Sequence, residues 1–180
     1  MAAFTTKPVT KATWSDLEIL FEGRGGPKHC WCMVWRPLDG PRQAVKGPGR
    51  KRALKAMVEA RTPVGLVGYH DGEPVAWCSI APRDTHIKLS EAQDDGEEGV
   101  WSVTCFFIRR DHRGQGLSAQ MLEAAIAHAK KRGAKVVESY PVDPDSPSYR
   151  FMGFVPLYQT HGFTPAGRTG KRRHVMRLEV

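Results

Sequence analysis

Apolar and polar positions change their spacing twice between Val103 and Arg132, in the stretch VTCFFIRRDHRGQGLSAQMLEAAIAHAKKR. Val103 to Ile108 is an unbroken apolar run of strand length, rich in aromatic and β-branched residues. Arg109 to Arg113 is charged. From Leu117 the apolar residues fall at helical spacing, with Leu117, Met121, Leu122, Ala125, Ile126 and Ala129 on one stripe. Lys130, Lys131 and Arg132 suit the negative end of a helix dipole, and Gly133 is a C-terminal stop. The pattern predicts strand, Arg/Gly turn, helix.

The same reading organises the rest of the chain. Residues 1–12 read as a loose lead-in. Thr13 to Phe21 reads as a helix, with Thr13 as N-cap, Asp16 three residues on, and Trp14, Leu17, Leu20 and Phe21 on one face. Pro37 to Arg50 is broken by Pro and Gly and reads as a loop. Lys51 to Ala60 reads as a second helix. Val64–Tyr69 and Pro74–Ile80 read as strands joined by an Asp-Gly hairpin turn, His70 to Glu73. Residues 81–99 are polar and acidic (Asp84, Glu91, Asp94, Asp95, Glu97, Glu98) and read as a solvated loop or an acidic rim for a cationic amine. Ala134 to Tyr140 is a further strand, parallel to the Val103 strand through a right-handed crossover. Pro141, Pro144 and Pro147 mark a loop, Pro156 to His161 a short helix and Arg173 to Glu179 a closing strand. There is no internal repeat and no second domain, so residues 1–180 are read as one domain.

The turn Arg113-Gly114-Gln115-Gly116-Leu117-Ser118 falls where the long helix begins. Free backbone N–H groups there face outward, and the helix dipole favours an anion. Gly114 and Gly116 have no Cβ, so a phosphate can approach the main chain. A dinucleotide fingerprint would need a third glycine at position 119, which is Ala, and a Walker loop would need Gly-Lys-Ser/Thr. What remains is a phosphate- or pyrophosphate-binding helix start.

This turn resembles the Arg/Gln-x-x-Gly-x-Gly/Ala acyl-CoA signature of the GNAT N-acetyltransferase family, with Ser118 at the final position. The order of elements resembles that family over most of the chain. Tyr158-Gln-Thr-His-Gly162-Phe163 resembles its C-terminal Tyr-x-x-x-Gly-Phe segment, with Phe151 where many members carry Asn. The Cys-Trp-Cys-Met and Glu-Ser-Tyr-Pro stretches resemble a bacterial subgroup of unassigned substrate. The resemblance implies an α/β (α+β) fold: a mixed, mostly antiparallel central sheet with a splayed parallel strand pair, flanked by helices. It implies an acetyl-CoA-dependent N-acetyltransferase acting by direct attack in a ternary complex. The main chain of Phe106, Phe107 and Ile108 would pair with the pantetheine arm. The amides from Arg113 to Ser118, namely Arg113, Gly114, Gln115, Gly116, Leu117 and Ser118, would take the pyrophosphate. Tyr158 would donate a proton to the departing thiolate of CoA.

Charge changes this picture little. The formal net charge is +8. Basic proteins meet polyanions, but CoA is itself a polyanion, and Arg109, Arg110 and Arg113 cluster at the turn rather than along one helix face. A nucleic-acid partner is not expected. No apolar run reaches membrane-spanning length and no signal-peptide h-region stands at the N-terminus, so a cytoplasmic protein is expected, with no membrane partner. Four cysteines do not form a disulfide framework in 180 residues.

Candidate chemistry gathers at a few further positions. His29-Cys30-Trp31-Cys32 can be read as a metal site, a reactive thiol or a buried segment. Cys-x-Cys is not the usual zinc spacing, and no metal is expected. Trp31 and Trp35 are candidate walls of an acceptor pocket. Glu138, the carboxylate within the strand on the far side of the cleft, is the candidate base or amine-orienting group, unless it is paired structurally with a basic residue. Asp143 and Asp145 are reserves, and His128 and His161 read as surface residues. The expected acceptor is a small-molecule amine, and a homodimer is compatible with the sequence. Two other readings stand beside it: a protein lysine or N-terminal acetyltransferase, and a CoA-binding regulator without turnover.

Overall fold

The computed structural model describes residues 3–91, 93 and 96–180, so Asp94 and Asp95 of the acidic stretch lie outside it. Among the described residues seven strands form one sheet: β1 (Phe4–Pro8), β2 (Leu66–His70), β3 (Glu73–Pro82), β4 (Val100–Ile108), β5 (Val136–Ser139), β6 (Thr164–Thr169) and β7 (Arg173–Glu179). Their order is β1-β2-β3-β4-β5-β7-β6. Every pairing is antiparallel except β4 with β5, which is parallel. Among the same residues four α-helices flank the sheet: α1 (Trp14–Glu22), α2 (Gly47–Glu59), α3 (Leu117–Lys131) and α4 (Val155–Gln159).

The strand–turn–helix unit forms as its pattern predicts. Leu117, Met121, Leu122, Ala125 and Ala129 are buried along α3 and pack on Val103, Val137 and Met176 of the sheet. Burial contributes roughly 1.5–3 kcal/mol for each large apolar side chain. The other face of the sheet is covered by the N-terminal half. There Leu17, Leu20, Phe21, Trp31 and Met33 pack against Val67, Tyr69, Trp77 and Cys105.

Several sequence expectations need correction. Phe4–Pro8 is not a loose lead-in but an edge strand, paired from Phe4↔His70 to Pro8↔Leu66. It carries one apolar side chain that packs on the core, Phe4, so it shows almost no hydrophobic alternation. Thr164–Thr169 is likewise a strand without an apolar pattern, because nearly all of it is exposed. Helix α2 begins at Gly47 rather than Lys51, with Pro48 in its first turn, where a missing N–H costs nothing. The short helix is Val155–Gln159 rather than Pro156–His161. Thr13 holds the N-cap position of α1, but its hydroxyl donates to Pro8 O at 2.8 Å instead of capping the helix. Asp16 accepts the Tyr69 hydroxyl at 2.6 Å.

One irregularity positions everything that follows. Ile80 faces Val103 and Ser79 faces Cys105, so Thr104 is an extra residue in β4. This bulge bends β4. The parallel ladder to β5 stops there as well, at Val103↔Ser139. Pro141, which has no N–H to give, follows closely on β5. Beyond this point β4 runs on to Ile108, paired with β3 alone. The parallel pair therefore opens into a wedge.

Candidate active site

The turn that begins α3 lies directly after the open end of β4. Arg113 anchors it by donating from Nε to the Ile108 carbonyl at 3.0 Å. Gly114 and Gly116 have φ of +75° and +74°, and Gly116 is the N-cap residue of α3. Their need is conformational, since L side chains rarely adopt this backbone. A Cβ at either position would meet nothing within 4 Å, so the space before the turn is open. Among the described residues, the amides of Gly114, Gln115, Gly116, Leu117 and Ser118 donate no hydrogen bond to the main chain or to a side chain. Consecutive free N–H groups at a helix start make an anion cradle. Donors of this kind suit a phosphate or pyrophosphate.

Phe106 and Phe107 are half-buried and Ile108 is buried, all on the stretch of β4 that pairs with β3 and has left β5. The Tyr158 ring packs beside Phe106, with centroids 6.4 Å apart, and edge-on to Phe163 at 5.1 Å. Its hydroxyl is buried and donates to Met152 O at 2.8 Å. Burial, and then the neighbouring Cys78 and Cys105, push this phenol well above its ordinary range, so it stays protonated at neutral pH. Gly153 makes the ring's place available: a Cβ there would lie 2.9 Å from the ring.

Glu138 lies on the opposite face. Val137 points into the α3 layer, so by strand alternation Glu138 points away from it. It is 3 % exposed and is held by groups that the sequence did not single out. Tyr140 donates its hydroxyl proton to Oε1 at 2.5 Å, so Ser102, 3.0 Å from the Tyr140 oxygen, must be the donor to it. Arg83 lies 3.4 Å from the carboxylate and Arg177 3.5 Å. Glu97, from the acidic stretch, pairs with both arginines. Two carboxylates and two guanidinium groups thus neutralise one another. Burial and the Glu138 charge push the Tyr140 phenol well above its ordinary range, so it acts here as a donor. The signal for this cluster was present in the sequence, as lone charges inside apolar strands, but their partners were not.

The remaining candidates disperse. Trp31 stacks on Trp14 at 5.7 Å under the Lys51 ammonium, and the Trp35 ring is covered by the Arg173 guanidinium at 4.4 Å. Both rings are spent on packing instead of walling an acceptor pocket. Asp143 pairs with His174 at 3.0 Å on the surface, and Asp145 is exposed. His161 contacts Glu123 at 3.3 Å. His128 sits edge-on to Trp101, where burial holds its imidazole below the usual range. Among the described residues no group of three His, Cys, Asp or Glu side chains could hold a metal ion. No helix among them is long and apolar enough to cross a membrane.

The model of the acetyltransferase (GNAT) family matches residues 31–163, which contain the turn, the wedge, Glu138 and Tyr158. No curated protein matches the sequence. Among solved structures, the chain is similar to yncA of Salmonella typhimurium, described with its cofactor acetyl-CoA, at 19% identity and TM-score 0.58, covering 98% of this chain and 94% of that one. It is similar to the protein bh2621 of Bacillus halodurans at 15% identity and TM-score 0.65, covering 99% and 84%. It is also similar to the ribosomal-protein-alanine N-acetyltransferase of Brucella melitensis at 17% identity and TM-score 0.59, covering 98% and 99%. At these identities the likeness is one of fold.

Proposed function

The chain belongs to the GNAT family of acetyltransferases, and from that membership we propose that it moves an acetyl group from acetyl-CoA to the primary amine of a small molecule by direct attack in a ternary complex. The observation that carries the reading is the row of free amides from Gly114 to Ser118, facing open space beside the end of β4 that has parted from β5. Those amides take the pyrophosphate of CoA. The main chain of Phe106 to Ile108 lies along the wedge and offers its outward groups to the pantetheine amides. Holding donor and acceptor together replaces a bimolecular encounter by an intramolecular one. A small acceptor is supported by the N-terminal half, which closes over the far face with Trp14, Phe21, Trp31 and Trp77 in mutual contact.

Within this reading Tyr158 donates to the departing thiolate, and Glu138 orients the acceptor amine through the charge cluster around it. A carboxylate already engaged by two guanidinium groups and a phenol is better placed to hold neighbours than to collect a proton. Glu138→Gln leaves Glu97 as the one carboxylate that Arg83 and Arg177 are seen to share and is expected to cost about 2–3 kcal/mol of stability. Turnover should fall by the same factor at every pH. Denaturant titration checks the first, and a pH–rate profile the second. A rate that recovers as pH rises would make Glu138 the proton acceptor.

The overall test is a thiol-release assay with acetyl-CoA across small amines, aminoglycosides, amino acids and peptides. CoA release is expected with a small primary amine. Release with peptides alone would make this a protein acetyltransferase. Binding of acetyl-CoA without release on any acceptor would make it a regulator.

A further inference from the structure

Arg36 is fully buried, yet among the described residues it forms no ion pair with a carboxylate. Its Nη2 donates to Val64 O at 2.8 Å and to Ser79 Oγ at 3.0 Å. Its Nε and Nη1 have no hydrogen-bond partner. A buried cation without an anion is costly, and proteins rarely leave one so. His86 offers no help, since burial and the Arg36 charge itself hold its imidazole neutral, well below the usual range.

The ionisable groups that act on Arg36 are the thiols of Cys32 and Cys105. Cys32 is 6 % exposed, and the Trp77 indole N–H donates to its Sγ at 3.3 Å. Cys105, on β4 at the bulge, belongs to the same buried cluster as Cys32, and its thiol donates to Phe106 O at 3.7 Å. The backbone holds Cys32 in this place at a conformational cost: Trp31 and Cys32 have φ of 47° and 53°, a left-handed pair without a glycine. The groups around Cys32 are Arg36 and Cys30 on its own segment, Trp77, Cys78 and Ser79 on β3, and Cys105 on β4.

We propose that Cys32 and Cys105 are a redox-active dithiol, in which Cys32, balanced by Arg36, is the thiol that a peroxide oxidises and Cys105 is the thiol that then closes a disulfide on it. The thiolate sulfur of Cys32 attacks one peroxide oxygen, the O–O bond breaks, and hydroxide leaves, giving a sulfenic acid. The Cys105 sulfur, losing its proton, attacks the Cys32 sulfur and expels the sulfenic oxygen as hydroxide. Protonation completes two waters, so two thiols and one hydrogen peroxide become one disulfide and two waters. The product ties the segment around Cys32 to the bulge of β4.

Reactivity follows from charge here, against the trend of exposure. Cys30 is the more exposed thiol, but burial still pushes it up, whereas Cys32 is pushed down to about 7, first by the Cys105 hydrogen bond and then by Arg36 and Trp77. Burial pushes Cys78 well up, and the hydrogen bond to Cys32 does the same for Cys105.

The test treats the reduced protein with one equivalent of hydrogen peroxide at neutral pH and maps thiols by mass spectrometry without reduction. A Cys32–Cys105 disulfide is expected, with Cys30 and Cys78 intact. In Cys105→Ala, dimedone should label Cys32 as sulfenic acid. Arg36→Met should slow the oxidation by about fivefold, because raising a thiol pKa from about 7 by one unit lowers the thiolate fraction at pH 7 from about one half to about one eleventh. Should that variant not fold, the wild-type rate decides, since its pH midpoint should lie near 7. Oxidation of Cys30 ahead of Cys32, a Cys105→Ala protein that dimedone leaves unlabelled, or a midpoint near the ordinary thiol value of about 8.5 would each overturn the proposal.

Discussion

In a Gly116→Asp variant, calorimetry is expected to find acetyl-CoA affinity lowered by at least about a hundredfold, which corresponds to roughly 2.7 kcal/mol. The new carboxylate would project into the open space before the free amides from Gly114 to Ser118. That is where the pyrophosphate would lie, and like charges brought together cost several kcal/mol. The fold should survive. Asp is among the residues that tolerate a φ of +74° best, and it suits a helix start. Gly116→Asn has the same shape without the charge and should lose far less. Unchanged affinity in a folded Gly116→Asp protein would move the cofactor away from this turn.

Tyr158→Phe is expected to lower kcat by on the order of a hundredfold while acetyl-CoA affinity barely changes. The ring contacts with Phe106 and Phe163 persist in Phe. Only the hydroxyl is lost, and with it the bond to Met152 O, a stability cost of about 1 kcal/mol. Because burial keeps the phenol protonated, it can serve as donor and not as base. The proton is needed only as the C–S bond breaks, so the effect belongs in kcat and not in binding. Steady-state kinetics beside calorimetry separate the two, and full kcat would leave Tyr158 a packing residue.

The part of this molecule that could be read from sequence is the part whose side chains carry the pattern. The apolar run into Ile108 and the stripe of α3 specify their own structures, because β4 is covered on both faces and α3 buries one, while the exposed Arg/Gly turn is read from its two glycines. Strands β1 and β6 escaped notice because their backbones are fixed by pairing with β2 and β7, while their side chains stay mostly in water. The site divides in the same way. The cradle is local, built from consecutive residues, and so its spacing could be read. The wedge depends on a bulge at Thr104, and the setting of Glu138 on Arg83, just after β3, and on Arg177 of β7. Long-range juxtaposition of this kind leaves no periodicity. Trp31 and Trp35 mislead for a related reason: an aromatic ring that lines a pocket and one that fills a core look alike until its neighbours are known.

The two outermost strands also decide how the protein behaves in company. A sheet edge is a row of open valences that invites another chain to continue it. Here one rim ends in Lys7 and Pro8, and the other carries Pro165, a shift in register before Gly167, and Arg168. Prolines give no donor, the irregularity breaks the template, and the cations repel a like neighbour. Neither rim offers a long straight row for a foreign strand, so the sheet terminates itself. Growth by stacking copies edge to edge, the first step toward a fibril, meets a barrier written into both margins.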